Sequence, residues 1–125
     1  MTKNFGLEEF RSKDGAGFPE WVLPNIRELA RNLQVLRDNV QAPVTINSGY
    51  RSPAHNKRVG GATNSYHLKG MAADIVVKGL SPNRVADIIE DLIELGLMKN
   101  GGLGRYNTFC HYDIRDVPGR WDYRT

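Results

Sequence analysis

The sequence predicts an α+β fold: a small antiparallel sheet with helices packed on one side. Two observations carry this. Helical and strand periodicities alternate only loosely along the chain, and the last two strand-like runs sit close enough together to form a hairpin. With 125 residues, the chain suits one domain, residues 1–125, around a single core. Its 40% apolar and 25% charged residues are the balance expected of such a core with a solvated surface.

The elements follow in order. Phe5 to Phe10 reads as one helical turn that pins the start of the chain to the core, and Asp14-Gly15-Ala16-Gly17 reads as a loop. From Pro24 to Asn39, Ile26, Leu29, Ala30, Leu33 and Leu36 recur at threes and fours. Arg27, Glu28, Arg31, Gln34 and Arg37 cover the other face, so this is an amphipathic helix ended by Pro43. Val44 to Asn47 reads as a strand leading into Ser48-Gly49-Tyr50-Arg51-Ser52. Pro53 to Val59 is a short helix, with Ser52 as its cap and proline at its first position. Gly60 to Asn64 links it to the central stretch. Ala72 to Val77 is a buried strand. Ser81-Pro82 opens a second long helix, whose apolar side runs from Val85 to Leu95. Leu103 to Tyr106 and Phe109 to Arg115 make the hairpin around Asn107-Thr108, and Pro118 to Tyr123 is a tail covering part of the sheet.

The chemistry concentrates in Ser65-Tyr-His-Leu-Lys-Gly-Met-Ala-Ala-Asp74. An imidazole and a carboxylate are both ligands for a borderline metal such as zinc. Seven positions separate His67 from Asp74, too far for one helical turn or for neighbours on one strand face. The chain must turn back between them, and Gly70 is the residue that does so without a Cβ penalty. Asp74 then enters an apolar strand, where its charge needs a positive partner, a metal ion or an arginine.

The pattern Ser-x-His-x-x-Gly-x-Ala-x-Asp resembles the zinc-site signature of the D-alanyl-D-alanine carboxypeptidase family, which shares its fold with hedgehog signalling domains. The resemblance runs from Phe5 to Trp121 and implies that fold. It also implies a third metal ligand in a strand reading His-x-His or His-x-Asp, which His111-Tyr112-Asp113 supplies. The expected zinc ligands are therefore His67, Asp74 and His111. Three protein ligands leave a position for water, the arrangement of a catalytic site. The family's Ser-Gly-Tyr-Arg-Ser segment gives Arg51 a substrate-binding role in place of plain solvation. Ser65 either hydrogen-bonds substrate or caps a turn.

A glutamate or aspartate stands three residues before the last histidine in part of the family, but this chain has Thr108 there. Asp113 is the nearest carboxylate, on the strand face shared by Phe109, His111 and Arg115. At roughly 7 Å from His111 along the backbone, it is expected as the general base, with bracing of a ligand imidazole as the rival role. Glu90, Asp91 and Glu94, on the preceding helix, are poorer candidates. His55 reads as exposed and not a ligand. Cys110 alternates with His111 and should be a buried, inert thiol. Trp21, Trp121 and Tyr50 either line a groove or simply pack.

The expected function is a zinc peptidase acting on peptidoglycan stem peptides or cross-links. The alternative is a non-catalytic zinc domain that binds a wall peptide or a protein. The formal charge of +3 and pI near 9.2 suit an anionic polymer, but no dense Lys/Arg run argues for nucleic acid. One cysteine excludes an internal disulfide. No stretch is long enough for membrane insertion, and the N-terminus lacks the apolar core of a signal peptide. Cytoplasmic synthesis, with delivery to the wall by a holin or a phage particle, and a monomeric state are the expectations.

Overall fold

The computed structural model describes residues 1–125. Its centre is a five-stranded sheet built from β1 (Val44–Ser48), β2 (Ala72–Val77), β3 (Gly102–Arg105), β4 (Cys110–Asp113) and β5 (Gly119–Asp122), in the order β1-β2-β4-β3-β5. The β1–β2, β2–β4 and β3–β4 pairs are antiparallel, as expected. The β3–β5 pair is parallel, which corrects the all-antiparallel expectation. The reason is topological. β4 already has β2 and β3 as neighbours, so the chain that reverses after β4 finds its nearest open edge beyond β3. A strand running opposite to β4 there must run parallel to β3. The tail expected to cover the sheet thus extends it instead.

Side-chain alternation divides the sheet into two faces. Val44 and Ile46, Ala73, Ile75 and Val77, and Cys110, Tyr112 and Ile114 point into one hydrophobic core. α1 (Leu23–Val40) supplies that core with Ile26, Leu29, Ala30, Leu33 and Leu36. α3 (Pro82–Glu94) adds Val85, Ala86, Ile89 and Leu92, and packs against β2, β3 and β4. Phe5, just before a 3-10 turn at Leu7–Phe10, and Phe10, its last residue, are fully buried against the same cluster. Cys110 is enclosed there, and burial pushes its thiol up to about 12, the inert state expected of it. The helices do not all share this side. α2 (Pro53–Arg58) and a 3-10 turn, Tyr66–Lys69, pack on one another, and the turn rests on β2. This second correction has a local cause: both are too short and polar to cover a core, and they serve the opposite face.

The caps follow the sequence closely. Ser52 Oγ accepts from the His55 backbone N–H at 3.1 Å, and Ser81 Oγ accepts from that of Arg84 at 3.1 Å. α1 ends differently from expectation. Pro43 lies beyond the helix, and the stop is Gln41, left-handed at φ 50°. A left-handed L-residue costs about 1–2 kcal/mol, and glycine would remove that cost while giving back about 0.5–1 kcal/mol in chain entropy. Gln41→Gly should therefore stabilise the protein by about 0.5–1 kcal/mol, seen as a raised midpoint in urea unfolding with an unchanged slope. A lowered midpoint would show that the Gln41 side chain matters more than its backbone strain.

Candidate metal centre

The centre forms where three local structures converge. His67 sits in the Tyr66–Lys69 turn, which Ser65 caps by accepting from the His67 backbone N–H at 3.2 Å. Gly70 ends that turn in the left-handed region at φ 68°. A Cβ there would also lie 2.9 Å from Ile26 Cγ1, so glycine is needed both for the turn and for its close seat on α1. Asp74 stands on the core-averted face of β2, with His111 opposite it on β4. The antiparallel register thus brings together residues 37 apart in sequence.

His67, Asp74 and His111 are all buried, and their ligand atoms lie within 4.8 Å of one another. His67 Nε2 is 3.3 Å from Asp74 Oδ2, and His111 Nδ1 is 2.9 Å from Asp74 Oδ1. The outer partners bear on the tautomers. His67 Nδ1 is 2.8 Å from the Gly49 carbonyl, which only accepts, so this nitrogen carries the proton and donates. His111 Nε2 is 2.7 Å from Asp113 Oδ2, so this ring has a carboxylate at each nitrogen. A neutral His67 therefore turns its Nε2 lone pair toward the Asp74 carboxylate, and His111 turns Nδ1 the same way when its proton sits on the Asp113 side. With both imidazoles so arranged, two lone pairs and an anion converge in a buried space, where a cation would balance them. The donor set and its orientation fit a metal ion.

The electrostatics agree. Burial alone would raise the Asp74 carboxyl, but its contacts with His111 and His67 outweigh it and hold the group well below the usual carboxylate range. Burial would lower His111, and its bonds to Asp113 and Asp74 raise it instead. Arg51 adds a positive charge, with Nη2 3.4 Å from Asp74 Oδ2. Its Nε donates to Ser48 Oγ at 3.1 Å and its Nη1 to Asn56 Oδ1 at 3.3 Å. The backbone N–H of Arg51 donates to the His67 carbonyl at 3.0 Å, so the Ser48–Ser52 loop and the His67 turn hold each other. Of the partners anticipated for Asp74, the arginine is in place, and the two imidazoles stand where they could hold a metal ion.

An open cleft of about 530 Å³ exposes this centre. Arg51, Ser65, His67, Asp74 and His111 all line it, so five of the six expected site residues meet there. Asp113 does not. It is fully buried behind His111. Its carboxylate accepts from the Gly102 N–H at 2.9 Å and from Arg115 Nε and Nη2 at 2.8 and 2.7 Å, in addition to His111. Burial is outweighed by the Arg115 and His111 hydrogen bonds, and the carboxyl is held far below the ordinary range. Where a general base or a brace for a ligand imidazole was expected, there is an enclosed, saturated acceptor in contact with His111. The face assignment from strand alternation is correct, but Arg115 closes over the carboxylate.

Other residues divide clearly. Trp121 lines the metal cleft, whereas Trp21 and Tyr50 line a neighbouring one. His55 is half-buried rather than exposed and lies outside the ligand cluster. Two cleft residues, Tyr66 and Tyr106, drew no attention in sequence. Arg115 stacks over the rings of Tyr66 at 4.3 Å and Trp121 at 5.0 Å. Trp121 reaches this position because Gly104 lies beneath it, where a Cβ would overlap the indole. A glycine inside a strand is the available signal of such a close approach.

Comparison with known proteins places these features. Over 101 residues the chain is 34% identical to the probable peptidoglycan L,D-endopeptidase MepK of Haemophilus influenzae, covering 75% of this chain and 51% of that protein. Over 44 residues it is 48% identical to the zinc D-Ala-D-Ala carboxypeptidase of Streptomyces albus G, covering 34% of this chain and 17% of that protein. The chain therefore spans about half the length of the first relative and less of the second. The peptidase M15 family model matches residues 3–113, which include all three candidate ligands, and the chain belongs to that family.

Proposed function

We propose that the chain is a zinc-dependent peptidase that hydrolyses peptide bonds in peptidoglycan stem peptides or cross-links, as a carboxypeptidase or an endopeptidase. The observation that carries this is the convergence of ring nitrogens from two imidazoles and an oxygen of the Asp74 carboxylate within 4.8 Å in the lining of an open cleft. The names of the two relatives support the choice of metal and substrate. His67, Asp74 and His111 would hold the zinc. When bound, it supplies Lewis-acid polarisation of the scissile carbonyl and a water of lowered pKa. The residues of the site all lie in one chain, within the unit of residues 1–125 that the proposal treats as one domain, so no second copy is needed. No helix is long and apolar enough to cross a membrane.

The protein's own groups have distinct tasks in this reading. Gly49 and Asp113 hold the two imidazoles in the tautomers that face inward. Arg51, only partly engaged by Asp74 at 3.4 Å, presents its fork to a substrate carboxylate or carbonyl. Ser65 caps the His67 turn and also lines the cleft, so it can meet substrate without giving up that cap. Asp113 becomes a positioning residue rather than the base. One observation favours the non-catalytic alternative: Asp74 is the sole carboxylate among the cleft-lining residues.

A zymogram on purified cell wall separates the two readings. The protein should clear the wall, and EDTA should abolish the clearing. Metal analysis should give about one zinc per chain, lost in His67→Ala and His111→Ala. Clearing that survives EDTA, or full zinc retention in both variants, overturns the proposal.

Arg51→Ala should leave fold and zinc intact while kcat/KM on wall peptides falls about 10- to 100-fold, the scale of a lost charge-assisted hydrogen bond. An unchanged kcat/KM removes Arg51 from substrate binding.

Asp113→Asn tests the bracing role. Zinc affinity should weaken about 10- to 100-fold. At saturating zinc, kcat should stay within a few-fold of wild type. A kcat loss of about 100-fold or more with zinc fully bound would instead make Asp113 the base.

A further inference from the structure

The cleft contains a hydroxyl whose orientation is preset. Trp121 Nε1 lies 2.9 Å from the Tyr106 hydroxyl oxygen. An indole N–H only donates, so the tyrosine oxygen is the acceptor in this pair. Its own proton is left for another acceptor, and no protein group takes it. The ring is firmly held: it stacks on Phe109 at 4.3 Å with an interplanar angle of 15°, and meets Tyr123 edge-on at 5.6 Å. Tyr106 lines the same cleft as Arg51, His67, Asp74 and His111. Burial raises its phenol above the ordinary value, and the nearby Asp74 charge raises it further while Arg51 opposes. The hydroxyl is therefore protonated at neutral pH and close enough to the metal ligands to feel their charge.

Trp121 is itself placed by the sheet. Asp74, His111, Gly104 and Trp121 occupy one row across β2, β4, β3 and β5. The indole lies over Gly104 with its ring 5.1 Å from that of His111. Its N–H is thus directed at Tyr106 by the same register that assembles the ligands.

We propose that Tyr106 is a further catalytic residue, whose hydroxyl donates a hydrogen bond to the substrate oxygen that gains negative charge as the scissile carbonyl becomes tetrahedral, with Trp121 as the positioning residue that presents it. This rests on the peptidase reading above. The proton stays on the phenol, and no bond of the tyrosine is made or broken. A donor aimed at the charge that develops in the transition state acts on kcat more than on KM.

Tyr106→Phe keeps the ring stack and removes only the hydroxyl. Its zinc content and thermal midpoint should match wild type, its KM should stay within a few-fold, and its kcat should fall about 100-fold. Trp121→Phe should cause a smaller kcat loss, because the hydroxyl remains but is no longer oriented. A second arm needs no turnover. Calorimetric titration of the zinc-loaded proteins should show a phosphinate analogue of alanyl-alanine, which offers a tetrahedral charged centre, binding at least about 10-fold more weakly to Tyr106→Phe. Alanyl-alanine itself should bind both proteins alike. Wild-type kcat in Tyr106→Phe, or equal phosphinate affinity, overturns the proposal. If the wild type cleaves no wall peptide, the peptidase reading fails by itself. The phosphinate arm then decides Tyr106 alone: weaker binding sustains the hydroxyl as an oxyanion donor, and equal binding, or none to either protein, overturns it.

Discussion

The structure depends on keeping one carboxylate charged inside an apolar strand. Asp74 lies between Ala73 and Ile75, both fully buried, and is itself only 7% exposed. An ion taken that far out of water costs several kcal/mol unless its partners are well placed. The surrounding segments each supply a partner: the 66–69 turn brings His67, β4 brings His111, and the loop after β1 brings Arg51. Displacing any one of these would weaken the compensation of that charge. The burial that makes the site costly is also what makes its geometry specific.

Behind this first set of partners stands a second. His111 passes the demand to Asp113, and Asp113 passes it to Arg115, which lies over Tyr66 and Trp121 at the cleft wall. Acidic and basic side chains alternate along this series from the centre outward, so each buried carboxylate meets a ring nitrogen or a guanidinium. Asp113 is fully enclosed at the middle of the series, and its partners leave it no free oxygen. That explains its role better than its distance from His111 does.

The sheet register is the frame for all of this. Ser48, Asp74, His111, Gly104 and Trp121 form one row across five strands. Because side chains alternate with period two, a slip of one residue at any pairing would send a ligand into the core and a core residue into the cleft. The packing of Cys110, Tyr112 and Ile114 against α3 and the rest of the core therefore secures the metal centre from behind. Core and site are two faces of the same strands.

The sequence by itself determined the local structure. Periodic apolar residues marked α1 and α3, Ser-Pro pairs marked two helix starts, and the spacing of His67, Gly70 and Asp74 marked the turn between two ligands. These are readable because their causes act within a few residues: side-chain period, capping and backbone freedom at glycine. His111 was legible through its strand motif and the family resemblance. The tertiary structure alone decided which edge β5 would join, that Arg115 would close over Asp113, and that Trp121 would lie across Gly104 to reach Tyr106. In each of these cases the partners come from different strands or from beyond a turn. What they do depends on which edges and faces remain open once the other strands have paired, and no local pattern carries that information.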